Sequence, residues 1–75
     1  MNSEWMVTIP TKRLEQEREI HGAQYLIVTA RNELEARKLA AKLALRSEMR
    51  QRRRHAEADL ERASVEPYIQ PWLAW

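Results

Sequence analysis

Five arginines within nine residues, Arg46, Arg50, Arg52, Arg53 and Arg54, oppose a single acid, Glu48, and form the sharpest chemical signal in the chain. The planar guanidinium fork binds a carboxylate or phosphate through paired hydrogen bonds, so such a cluster suits an acidic protein surface or a nucleic-acid backbone. The bland alternative is a solvated helix face, partly neutralised by Glu48, Glu57, Asp59 and Glu61. Like charges four residues apart cost a helix only about 0.2–0.5 kcal/mol per pair, so the run does not by itself demand a partner.

Other chemistry is sparse. His21 and His55 are the only histidines, there is no cysteine, and the three serines, Ser3, Ser47 and Ser64, are scattered. No nucleophile has a base at recognisable spacing, and a closed zinc site needs more ligands than two distant histidines supply. One glycine cannot build a glycine-rich phosphate loop. The expectation is a protein without catalytic residues, metal or cofactor.

What must position the arginines is a small α+β domain. Seventy-five residues support one core, and a chain this short buries only about 60% of its unfolded surface, so docking or self-association is a natural supplement. Trp5, Val7 and Ile9 alternate with Met6 and Thr8, predicting a short strand over 4–9 that Pro10 ends. Thr11 to His21 reads as a long polar connection or a ragged strand extension, and Gly22 as the turn. Tyr25 to Thr29, rich in β-branched and aromatic residues, predicts the most secure strand.

Asn32 can cap a helix, with Glu35 reaching back to complete a capping box and Glu33 pairing with Arg37 four residues on. No glycine or proline interrupts 32–64, so the pattern predicts a long helix of about 30 residues, roughly 45 Å, which either outruns the sheet or bends near 46–49, its distal half then acting as a second helix. Ala36, Leu39, Ala40, Leu43 and Ser47 share the side facing the sheet. Extending that side reaches Arg46, Arg50, Arg53 and Arg54, which become the expected partner-binding residues, with Arg52 on the far side.

Beyond the bend, Met49, Ala56, Leu60 and Ala63 form a second apolar side that needs cover, from the tail or from a second copy in a homodimer. The tail, residues 65–75, carries Tyr68, Ile69, Trp72, Leu73 and Trp75, is kept out of a helix by Pro67 and Pro71, and is expected to fold back. Met49, Leu60, Tyr68, Trp72 and Trp75 are thus a candidate apolar interface. The expected fold is a two- or three-stranded antiparallel sheet, about residues 4–31, packed on a long C-terminal helix, 32–64, in one domain spanning 1–75.

The unit Tyr25-Leu-Ile-Val-Thr-Ala-Arg-Asn-Glu-Leu-Glu-Ala-Arg-Lys-Leu-Ala-Ala41, within residues 5–45, resembles very small proteins of phages and mobile elements, including some anti-CRISPR proteins. The resemblance implies stoichiometric binding to a larger host or phage complex, such as a nucleic-acid-handling machine, and transfers no functional residue. The leading expectation is a non-catalytic protein-binding module; direct nucleic-acid binding by the arginines comes second and a self-assembling subunit third. Without cysteine, an apparent export signal or an apolar run near the about 20 residues that span a bilayer, the expected location is the cytoplasm, the host's if phage-encoded, with no membrane partner.

Overall fold

The computed structural model describes residues 2–69. Its elements are β1 (Ser3–Glu15), β2 (Arg18–Ala30), α1 (Glu33–Ala44), α2 (Ser47–Arg52), β3 (Glu57–Ala58) and β4 (Ser64–Pro67). All strand pairs are antiparallel: β1 is central, β2 lies along one side, and β3 and β4 share the other. The fold is therefore a four-stranded antiparallel sheet with two short helices, which overturns the two- or three-stranded sheet on a long C-terminal helix.

Each correction has a local cause. The β1–β2 register is unbroken from Ser3 opposite Ala30 to Glu15 opposite Arg18, so of the two readings of 11–21 the strand extension holds and the long connection does not. The turn is Gln16–Glu17, both at positive φ (50° and 64°), a mirror-image turn whose twist matches the strands but which asparagine and glycine would fit better. Gly22 lies inside β2 opposite Thr11 rather than in a turn. Pro10 does not end β1, because its carbonyl accepts from Asp59 N–H on the β3–β4 side. Its missing donor consequently faces the gap between those two short strands, where it breaks no ladder.

The helix starts where its cap dictates: Asn32 Oδ1 accepts from the amide of Glu35 at 2.9 Å. The Glu35 carboxylate turns to Arg31 instead of closing the box, and Arg37 reaches the carbonyl of Ala63 rather than Glu33. α1 stops at Ala44 because its buried stripe, Ala36, Ala40 and Ala44, runs out there; the next positions are Ser47 and Glu48. High helix propensity in 45–64 is a weak preference beside the bare side of β1, which β3 and β4 cover.

Three alanines bring α1 close to the sheet over Val7, Ile9, Leu26, Val28 and Ala30, with Leu39 and Leu43 half-buried beside them. Ile9 and Val7 are the largest fully buried side chains, so the core is thin. Met49, Leu60 and Ala63 do reach this core, and Ala56 is buried, but by the chain folding back rather than along a helix side. They are not a free dimer surface.

Thirteen-residue strands at about 3.3 Å per residue explain the 45 Å long dimension, whereas α1 at 1.5 Å per residue spans only about 18 Å. The hairpin tip therefore extends beyond the helices. Among the described residues no helix is long and apolar enough to cross a membrane.

Candidate functional site

The sheet face that carries Ile9 and Gln24 continues into the pairs Thr11–Gly22 and Arg13–Ile20, beyond the cover of the helices. The chain leaving α2 turns back against this stretch, and the two bound a cleft of about 220 Å³. Arg13, Arg52, Arg53 and Arg54 line it together with Thr11, Gly22 and the apolar Ile20.

The turn that delivers these arginines is a helix stop of defined form. Arg53 is the C-cap, Arg54 N–H donates to Gln51 C=O at 2.9 Å, and His55 N–H donates to Arg50 C=O at 2.8 Å. That bond pair is the Schellman pattern, which wants glycine at the position Arg54 occupies, because its φ is positive. Here φ is 53° at Arg54 and 60° at His55. A non-glycine residue in this region costs about 1 kcal/mol or more, so Arg54 sits where its backbone is least welcome.

The arginines expected to act together are separated by the fold. Arg53 is held inside it: Nε donates to Ala56 C=O at 2.8 Å, and Nη1 to Ala44 C=O at 2.6 Å and to Gln24 Oε1 at 3.2 Å. Its charge thus stands at the C-terminal end of α1, where the helix dipole favours a cation. Gln24 completes the clasp by donating Nε2 to Met49 C=O at 3.1 Å. Arg46, the N-cap of α2, and Arg50 are exposed and lie outside the cleft lining.

Arg54 alone of the four expected residues is both in the cleft and without a side-chain partner among the described residues. Arg52, expected on the far side, joins it because the chain leaves the helix there. Neither forms an ion pair or side-chain hydrogen bond among the described residues. Arg13 enters from β1 and keeps one ion pair, to Glu15 at 2.8 Å. No signal in the sequence marks Arg13, since its contribution depends on a hairpin turn with no turn-forming residues.

A neighbouring groove of about 570 Å³, lined by Lys12, His21, Glu57, Asp59 and Arg62 among others, differs in charge. Lys12 meets Glu57 at 3.9 Å and Arg62 meets Asp59 at 3.6 Å, so it largely neutralises itself. Among the described residues no three His, Cys, Asp or Glu side chains gather as a metal site. Ser3, Ser47 and Ser64 lie on three separate elements. Of the expected apolar interface, Met49 and Leu60 pack against the core and Tyr68 is half-buried beside β1, its N–H donating to Glu4 C=O. Trp72 and Trp75 lie outside the described residues. No protein-family model, curated protein or solved structure matches the chain.

Proposed function

We propose that this chain is a non-catalytic protein-binding module that seats an acidic segment of a larger protein in the cleft formed by Arg13, Arg52 and Arg54. The observation that carries this reading is that arginines from β1 and from the turn after α2 line one concavity, two of them without a side-chain partner among the described residues. Arg54 strengthens it, because an arginine kept at a glycine position is a local cost with a chemical use.

A cleft of about 220 Å³ suits one or two carboxylate side chains better than a duplex, and Ile20 offers an apolar contact beside them. Nucleic acid comes second, because a cleft this small cannot follow a run of phosphates along a backbone. The resemblance of residues 5–45 to short phage and mobile-element proteins ranks stoichiometric inhibition of a cytoplasmic complex first among such roles.

The test is affinity capture from nuclease-treated host lysate with the wild-type chain and with Arg52→Gln/Arg54→Gln. The expected result is a protein partner retained by the wild type and lost by the double variant at unchanged folding. Equal recovery by both, or a partner lost on nuclease treatment, would remove the protein-binding reading of the cleft.

A further inference from the structure

The outer side of β2 is a sheet edge that no described strand pairs. Even-numbered residues of β1 turn their backbone groups toward β3 and β4, as Glu4 and Pro10 do in accepting from Tyr68 and Asp59. Odd-numbered β1 residues therefore bond β2, through its even-numbered partners Gln24, Leu26 and Val28. Ala23, Tyr25, Ile27 and Thr29 are left with their N–H and C=O groups directed at an edge that no described strand pairs. Sheet edges are ordinarily guarded by lysine, proline or a bulge. Residues 22–30 contain none of these, and the register across them is unbroken.

We infer that a second copy of this chain pairs along that edge, antiparallel about a two-fold axis at Leu26. The occupant follows from the strand's own symmetry. Gly22 to Ala30 is uncharged, is flanked by His21 and Glu19 on one side and Arg31 on the other, and has Leu26 at its centre. Pairing about Leu26 lays this neutral window on its own copy and leaves Glu19 and Arg31 outside it. The same register sets Tyr25 opposite Ile27 of the second copy, twice over, and aromatic–β-branched pairs are among the favourable cross-strand combinations. Both side chains stand on the sheet face away from α1, 65% and 45% exposed, next to the half-buried Met6. A thin core without disulfides gains from continuing the sheet.

Two measurements test this. Sedimentation of the full chain at concentrations up to about 100 µM, a weak-dimer range, should give twice the 8.9 kDa chain mass. Ile27→Pro removes only an outward N–H and should give monomer with its circular dichroism retained. Because proline can also disturb folding, Ile27→Lys serves as a second variant with the same expected result. The register is read by mixing two single-cysteine chains, Tyr25→Cys and Ile27→Cys, under mild oxidation: the mixed disulfide should form well ahead of either like pair. A wild-type monomer throughout, a dimer that survives both Ile27 variants, or like pairs forming as readily as the mixed one would overturn the proposal.

Discussion

Nη1 of Arg53 donates to Oε1 of Gln24 at 3.2 Å, tying the turn after α2 to the strand position opposite Ile9, which is fully buried. The same guanidinium holds the last carbonyl of α1 and the carbonyl of Ala56. It therefore joins three segments that nothing in the local sequence brings together.

Arg53→Gln is expected to lower stability by about 1.5–3 kcal/mol, the range for hydrogen bonds to a charged group. Arg53→Lys should rescue little, because one ammonium cannot reproduce the fork. In urea melts, the Arg53→Gln and Gln24→Ala losses should be non-additive by about 0.5 kcal/mol or more. Additive losses would show that the 3.2 Å contact couples nothing.

Arg54→Gly separates folding from binding. Glycine relieves the positive φ, so the melting temperature should rise, by an amount corresponding to about 1 kcal/mol, while retention of an acidic partner falls. A drop in stability would mean that the Arg54 side chain supports the fold.

Replacing Gln16-Glu17 by Asn-Gly should likewise stabilise the hairpin, by about 1 kcal/mol, since those residues accept the φ values of 50° and 64° at lower cost. Partner binding should not change. Thermal melts beside capture assays check both halves of the statement.

Ile9→Ala is expected to cost about 2–5 kcal/mol, a large part of what a small domain possesses. Leu43→Ala should cost less, because Leu43 is only half-buried at the margin of the alanine stripe. A larger loss at Leu43 than at Ile9 would relocate the core toward the helix flank.

What the sequence discloses is local. Asn32 sets the start of α1 through a bond three residues away, and the alternation of Trp5, Val7 and Ile9 marks their common face. The break after Ala44 involves no glycine or proline, and residues 57–64 have helical composition, yet Glu57–Ala58 and Ser64–Pro67 pair with β1 some fifty residues earlier. Such pairing is decided by the open side of β1, which no local window contains. The arginine run was visible for the same local reason. Which of its members share a cleft was not, because that depends on the chain leaving the helix after Arg52 and on Arg13 arriving from the hairpin.

The cleft itself is tested most directly by nuclear magnetic resonance, titrating the isotope-labelled chain with a short peptide rich in Glu and Asp. The backbone amides of Arg13, Gly22, Ala23, Arg52 and Arg54 are expected to shift together, the effect weakening as salt approaches 1 M, where the screening length is about 3 Å. Arg52→Gln/Arg54→Gln should abolish the shifts while leaving the rest of the spectrum in place. Shifts confined to the open sheet face around Met6, Tyr25 and Ile27, or unchanged binding by the double variant, would contradict the assignment of the arginine cleft as the docking site.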